Sequence, residues 1–168
     1  MKTKIGIRFC LLLAITATIG CDRVTKQAAV SLLSEMPTQS FLADMVRLEY
    51  TENTGAFLGL GEDWPPAVRT AVFSVGNALL LLALAVVAMR WHWPKGSLVG
   101  VALFVAGGAS NLLDRLDDGR VIDFVNVGIG PLRTGIFNVA DVAIMLGLGV
   151  LLFGYRTAGT RIVTEGGD

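Results

Sequence analysis

Residues 107–141 of the chain are GGASNLLDRLDDGRVIDFVNVGIGPLRTGIFNVAD. This stretch begins in one apolar segment and ends at the start of another, and it places Asp123 and Asp141 beside apolar residues. Ionisable groups at the edge of hydrocarbon are costly and are usually functional. Two carboxylates in this setting indicate hydrolysis by a pair of aspartates at a bilayer surface.

The composition of the whole chain indicates a membrane protein. Hydrophobic residues make up 53% of the sequence, above the roughly 45 to 50% of a typical soluble domain. The 14 basic and 14 acidic residues balance, and no basic run could follow a phosphate backbone. Nucleic acid is therefore not an expected partner.

Four apolar segments predict membrane spans, since a helix needs about 20 residues to cross the hydrocarbon. They cover about residues 5–24, 67–89, 97–114 and 138–155 of a single domain, 1–156, followed by a disordered cytoplasmic tail at 157–168. Basic residues are retained in the cytoplasm, and their positions place both termini there. The predicted fold is an all-α membrane protein with four transmembrane helices. The flanking basic residues are Lys2, Lys4, Arg8, Arg90, Lys95, Arg156 and Arg161.

The connection after the first span contains a predicted β element, at about residues 41–62 on the outer side. Val46, Leu48 and Tyr50 alternate with polar residues, which is the period of a half-buried strand. Asn53 and Gly55 follow as turn residues before a second apolar segment, 56–58. A small antiparallel hairpin is expected, and turn formation alone would explain both residues.

Cysteine and histidine give little support to other chemistry. Cys10 and Cys21 lie about 16 Å apart on a helix, too far for a disulfide. The single histidine, His92, falls on the opposite side of the predicted membrane, and it offers no basis for a zinc site. A second interpretation makes the basic residues and short apolar core before Cys21 a cleaved lipoprotein export signal, with Cys21 as the lipid-modified residue, but three further spans follow.

The ends of the third and fourth spans carry polar groups with two possible meanings. On a helix Asn111, Asp114 and Arg115 lie within one turn of each other, which suits either a site or a charged helix end. Asn138 followed by Asp141 resembles an N-cap with a capping box. After a turn at 118–119, residues 121–129 alternate as a strand that presents Asp123 to one face.

Taken together, five ordered blocks resemble the lipoprotein signal peptidases, also called signal peptidase II, which are membrane aspartyl endopeptidases. Each block alone is weak, whereas their order over residues 22–141 is specific. The blocks are DRVTK at 22–26, NTGAF at 53–57, GG through Asn111 to DR at 107–115, VIDF at 121–124 and FNVAD at 137–141.

The resemblance implies a role for each matching residue and a fold of four helices with a small outward β-sheet. Asp123 and Asp141 would be the catalytic pair. The residues implied to bind substrate are Asn53, Asn111, Arg115 and Asn138, and those implied to support the site are Asp22, Lys26, Gly55 and Asp114. No metal or other cofactor is implied.

The implied substrate is a bacterial prolipoprotein whose cysteine carries diacylglycerol, cut just before that cysteine at the outer face of the cytoplasmic (inner) membrane. Membrane lipids and globomycin-type inhibitors are the other implied partners. Three alternatives remain: a transporter or proton relay, with carboxylates near the bilayer midplane; a scaffold, whose aspartates tolerate asparagine; and a serine–lysine peptidase using Ser110 and Lys26.

Overall fold

The computed structural model describes residues 2–55, 61, 63–91 and 93–164. Long helices are joined by short strands. The second long helical stretch, residues 66–90, is continuous: it begins as an α-helix, becomes a π-helix and returns to an α-helix. In chain order the elements are α1 (Lys2–Leu33), β1 (Gln39–Phe41), β2 (Val46–Asn53), α2 (Pro66–Arg69), a π-helical segment (Thr70–Gly76), α3 (Asn77–Arg90), α4 (Lys95–Asp118), β3 (Val121–Ile129), β4 (Leu132–Arg133) and α5 (Val139–Thr164).

Two helical stretches of the described chain are long and apolar enough to cross a membrane, Pro66–Arg90 and Gly96–Asp118. Val139–Phe153 is apolar but shorter. α1 has 32 residues, which makes it about 48 Å long, more than the roughly 30 Å of bilayer hydrocarbon. α1 thus continues past residue 24, where the first predicted span ends. The prediction of four spans with cytoplasmic termini stays a prediction.

α4 lies at the centre of the helices and packs against α1, α3 and α5. Its contact with α5 is close because small residues meet there: Ala106 and Ala140 are both 0% exposed. A Cβ added to Gly107 would lie 2.3 Å from the carbonyl oxygen of Ala140, and one added to Gly108 would lie 2.7 Å from Leu81 of α3. The two glycines therefore allow α4 to approach two helices.

The strands form one antiparallel four-stranded sheet in the order β1-β2-β3-β4. The strand predicted at 121–129 is confirmed as β3. The strand beginning at Val46 is confirmed as β2, but its partners are β1 and β3, and the predicted second arm of the hairpin at 56–58 lies outside the described residues. The sheet is larger than expected because β3 comes from a distant part of the sequence.

The helix ends place the sheet beside the helices. α4 stops at Gly119, whose φ of 71° is left-handed, a conformation that glycine adopts without steric cost. α5 begins directly after Asn138. Residues 157–164, expected in a disordered tail, instead continue α5 as helix, because no proline interrupts this stretch; residues 165–168 lie outside the described chain.

Candidate active site

Asp123 lies on β3, buried and held by two amide side chains. Asp123 is paired with Thr51 of β2 in the sheet register, and it is 2% exposed. Asn138 Nδ2 donates to Asp123 Oδ1 at 2.7 Å, and Asn53 Nδ2 donates to Asp123 Oδ2 at 2.9 Å. Each carboxylate oxygen therefore has a neutral donor.

Burial raises the pKa of Asp123 to about 6, and the nearby charge of Asp141 adds to the rise. The hydrogen bonds from Asn53 and Asn138 and the charge of Lys26 act in the opposite direction, because each favours the ionised form. Desolvation has the largest effect. Asp123 can consequently hold or release a proton near neutral pH, as a general acid or base requires.

Asp141 lies in the first turn of α5, where Asn138 caps the helix. The Asn138 amide N donates to Asp141 Oδ2 at 3.2 Å, and the Asp141 amide N donates to Asn138 Oδ1 at 3.0 Å. These reciprocal bonds are the expected capping box. Asp141 Oδ1 accepts from Asn111 Nδ2 at 2.9 Å, so this carboxylate has a partner outside its own helix as well.

Asn138 connects the two carboxylates. Its side-chain amide binds Asp123, while its backbone and side-chain oxygen bind Asp141. The residue is 1% exposed, so these bonds form away from water. Asn138 is therefore the helix cap that the sequence predicts, and its side chain also bonds to Asp123. Its role in binding substrate stays a prediction.

Lys26 of α1 is the buried cation behind the pair. It is 3% exposed, and its ammonium group contacts Asp22 Oδ2 at 2.7 Å, Asp114 Oδ2 at 2.6 Å and Asn111 Oδ1 at 2.8 Å. Two of these contacts, to Asn111 and Asp114, are hydrogen bonds, and the contact with Asp22 is an ion pair. Lys26 thereby holds the Asn111 oxygen, which turns the Asn111 NH₂ group towards Asp141.

Asp22 joins three helices at one point. Its Oδ2 accepts from Ser110 of α4 at 2.7 Å, and its Oδ1 accepts from the backbone N of Ala140 at 2.8 Å. An acid from α1 thus satisfies a free amide at the N-terminus of α5, where negative charge is favoured. Asp22 and Ser110 are both 0% exposed.

Arg23 is a site-supporting residue that the sequence interpretation missed. It donates to Asp114 at 2.7 Å and to Asp117 at 2.8 Å, so Asp114 contacts two cations. The sequence did contain one sign of this role, because Arg23 is a basic residue directly after Asp22 in a predicted membrane span. Asp114, whose setting in sequence is the most elaborate of the acids, is held in ion pairs by Lys26 and Arg23.

Arg115 connects α4 to the loop after β2. Its NH2 group donates to the carbonyl of Gly55 at 2.7 Å, while Asn53 Oδ1 accepts from the backbone N of Gly55 at 2.9 Å. The Nε of Arg115 is buried and has no hydrogen-bond partner among the described residues. A buried donor of this kind favours an acceptor supplied by a ligand.

The serine–lysine alternative is not supported by the geometry. Ser110 donates its hydroxyl to Asp22 and is fully buried, while the ammonium of Lys26 is directed at two carboxylates and an amide. A nucleophile needs an exposed oxygen and a nearby free base. Neither residue meets this requirement.

Each of the two carboxylates lines a different cavity. One, of about 510 Å³, lies between the helices and is lined mainly by apolar side chains, with Asn111, Arg115 and Asp141 at its polar end. The other, of about 400 Å³, lies over the sheet and reaches Asp123 and Asn53. The ten site residues that the resemblance implies are joined by hydrogen bonds and ion pairs into one cluster. Within the described chain, no three His, Cys, Asp or Glu side chains are placed to hold a metal ion.

The family described as signal peptidase (SPase) II matches residues 14–156. The lipoprotein signal peptidase of Chlorobium phaeobacteroides (strain BS1) is 36% identical over 155 residues, covering 85% of this chain and 93% of that protein. The lipoprotein signal peptidase of Brevibacillus brevis is 34% identical over 137 residues, covering 80% and 86%.

A solved structure, titled as a bacterial membrane enzyme at 2.3 Å resolution, shares the fold with a TM-score of 0.80 at 20% identity, over 90% of each chain. This similarity shows a shared fold, and two helices of the described chain are long and apolar enough to cross a membrane. The chain belongs to the signal peptidase II family, and membership in that family identifies it as a peptidase. The matched range contains every residue of the cluster.

Proposed function

We propose that this protein is an aspartyl endopeptidase that removes signal peptides from diacylglyceryl-modified bacterial prolipoproteins, cutting just before the lipidated cysteine. One observation carries the proposal: Asp123 and Asp141, on separate elements, are both bonded to the buried Asn138. The family's lipoprotein signal peptidases support the substrate class.

The two carboxylates act as one titrating unit. Close, desolvated acids do not both ionise at low cost, so the pair shares a proton. The ionised carboxylate takes a proton from water as the water oxygen attacks the scissile carbonyl. The protonated carboxyl donates its proton to the carbonyl oxygen, which gives a gem-diol intermediate. The carboxyl that took the proton from water then donates it to the leaving amine as the C–N bond breaks, while the other carboxylate takes a proton back from a diol hydroxyl. The new carboxylic acid product and amine leave, and the pair again holds one proton.

The amides and Arg115 hold the substrate backbone beside the pair. An extended peptide at a buried site needs a partner for each N–H and C=O, and Asn53, Asn111 and Asn138 present donors and acceptors there. Arg115 Nε supplies a further donor. The supporting group keeps these side chains in place; it consists of Asp22, Lys26, Gly55 and Asp114.

The proposed setting is the bacterial cytoplasmic (inner) membrane, crossed four times with both termini inside and the site at the outer face. Exposed apolar side chains on several helices support lipid contact, since unpartnered surfaces of this kind are rare in soluble monomers. The acids near the end of α4 and the start of α5 support a site at one membrane edge, unlike the midplane acids of a transporter. Examples of exposed apolar residues are Leu12, Leu79, Leu82 and Leu152.

The deciding experiment is cleavage of a diacylglyceryl-modified prolipoprotein in detergent, followed by gel shift, with Asp123→Asn, Asp141→Asn and Asp114→Asn compared with the parent. We expect the first two to lose turnover by about 10³-fold or more while still binding substrate. Asp114→Asn should keep measurable turnover and lose thermal stability. Full activity in both Asp123→Asn and Asp141→Asn would contradict the aspartyl mechanism and favour the alternative of a scaffold whose aspartates tolerate asparagine.

A further inference from the structure

Asn77 is a polar side chain about halfway along the apolar helical stretch Pro66–Arg90. Between residues 71 and 89 the polar side chains are those of Ser74 and Asn77. Ser74 is buried, whereas Asn77 is half-buried and lines the cavity of about 510 Å³ between the helices. A polar group in the middle of a stretch that could cross a membrane is costly and is usually functional.

The hydrogen-bonding capacity of Asn77 is largely unused. Its Nδ2 donates to the backbone carbonyl of Gly108 on α4 at 3.3 Å, which is longer than the roughly 2.7–3.2 Å usual for such bonds. The second N–H of this amide and its oxygen have no hydrogen-bond partner among the described residues. Packing between helices therefore accounts for only one weak bond of the group.

The backbone next to Asn77 has a rare geometry. The π-helical segment ends at Gly76, directly before Asn77. Val72, Phe73 and Gly76 of this segment line the same cavity as Asn77. Because π-helical turns are rare and occur frequently at functional sites, the helix geometry and the partly unpaired amide both direct attention to this wall of the cavity.

Asn77 lies deeper between the helices than the carboxylate pair. Its partner Gly108 precedes Asn111 by three residues on α4, which is about 4.5 Å along the helix axis. Asn111 in turn donates to Asp141 at 2.9 Å. An extended peptide advances about 3.3 Å per residue. A chain that runs from the acids into this cavity therefore reaches the level of Asn77 at about the second residue before the cut.

The signal segment of the substrate must lose its helical structure near the cut. In hydrocarbon a single chain pairs its N–H and C=O groups by forming a helix, and a peptide bond inside a helix is shielded from attack. Unwinding leaves backbone groups without partners in a cavity lined mainly by apolar side chains, which is costly. In an extended chain the N–H and C=O of one residue point to the same side, where a single carboxamide can pair with both.

We infer that Asn77 binds the backbone of the second residue before the cut. Its oxygen accepts from the N–H of that residue, and its free N–H donates to the C=O of the same residue. This inference rests on the proposed function. It adds a substrate-binding residue from α3 to a site otherwise built from α1, α4, α5 and the sheet, and it makes Asn77 a group that favours the extended form of the signal segment.

The test uses two diacylglyceryl-modified prolipoprotein peptides that differ in one backbone atom. One has only amide bonds, and the other has an ester oxygen in place of the N–H of the second residue before the cut. The ratio of kcat/KM for the amide peptide to that for the ester peptide should be about two- to tenfold larger in the parent than in Asn77→Leu, the range of one hydrogen bond. Any effect of the ester on the substrate's own helix cancels in this comparison.

Ser74→Ala is the matched control, because it removes a polar side chain from the same helical stretch at a position that does not line the cavity. It should keep the ratio of the parent. Thermal unfolding in detergent checks that each variant is folded, and Asn77→Ala gives the same comparison if Asn77→Leu does not fold.

The outcomes separate the two proposals. An equal ratio in the parent and in Asn77→Leu overturns the assignment of Asn77 and leaves the peptidase intact, even if the substitution lowers turnover. In that case Asn77 acts through helix packing or through the ester groups of the lipid. If the parent cleaves neither peptide, the proposed function fails and the assignment of Asn77 fails with it.

Discussion

At the residue scale, the candidate site depends on asparagines that position acids. Asn138, Asn111 and Asn53 each donate to one of the two carboxylates. A neutral amide stabilises a carboxylate without the large opposing charge that would keep it permanently ionised. Lys26 acts on Asp141 through Asn111, one residue removed, which leaves the pair free to share a proton.

The amide of Asn53 sets the position of one limb of the pH–rate profile. Its hydrogen bond lowers the pKa of Asp123, which burial raises to about 6. Asn53→Ala removes the donor, so the limb near pH 6 should move to higher pH in kcat/KM measured across pH. Gln39→Ala, an amide on β1 bonded to the Pro37 carbonyl, is the control and should leave the limb in place. An unmoved limb in Asn53→Ala would contradict this role.

Lys26 is predicted to be the largest single contributor to stability in the cluster. Lys26→Met leaves Asp22 and Asp114 buried with one cation fewer, and breaking a buried pair in this way costs about 3–5 kcal/mol. Arg23→Met is the matched change, and because Arg23 is 38% exposed it should cost about 1 kcal/mol or less. Thermal unfolding in detergent compares the two, and equal losses would show that burial of Lys26 adds nothing.

At the scale of elements, the contact of α4 with α5 determines the position of Asp141 relative to Asn111. Gly107 lies where the backbone of α5 passes closest. Any side chain there must push the helices apart, since packed interiors have little free volume. The spacing of the helices therefore controls a hydrogen bond of the site.

Gly107→Ala should destabilise the protein by about 1–3 kcal/mol and lower kcat, because the Asn111 to Asp141 hydrogen bond of 2.9 Å lengthens. Gly149→Ala is the control on α5, where an added Cβ meets nothing within 4 Å; it should be neutral or stabilise by about 0.5–1 kcal/mol. Unfolding and cleavage measured on both variants test the prediction. Equal behaviour would remove the argument for close helix approach.

At the scale of the whole molecule, the helices and the sheet divide the site between two environments. The site residues of α4 and α5, which are Asn111, Asp114, Arg115 and Asp141, lie near the ends that meet the sheet, and several helices also have exposed apolar side chains. A four-span arrangement would place the sheet outside the cell and the α3–α4 connection inside.

Labelling with a membrane-impermeant maleimide tests that arrangement. In a chain whose Cys10 and Cys21 are replaced by alanine, Ser40→Cys on β1 should be labelled in intact spheroplasts. Gly96→Cys, near the start of α4, should be labelled only after the membrane is permeabilised, because the proposed topology places it in the cytoplasm. Labelling of both positions from outside would contradict the proposed topology.

Local patterns in the sequence were sufficient for several features. The alternation at 121–129 predicted β3, and Asn138 with Asp141 predicted a capping box, because each depends on residues close together in the chain. The partners of β2 were not predicted, since long-range strand pairing decides them. Arg23 was missed for the same reason: its acids lie far along the sequence.

The sequence by itself determined the apolar composition, two helices that are long and apolar enough to cross a bilayer, and the family, since these depend on composition and on ordered local motifs. Only the tertiary structure decided that Asn138 is bonded to both aspartates. It also decided that Lys26 contacts Asp22, Asp114 and Asn111. Asp123 and Asp141 line different cavities for the same reason. Those facts follow from helix packing and strand register, which are summed over many distant contacts and leave no mark in a short stretch of sequence.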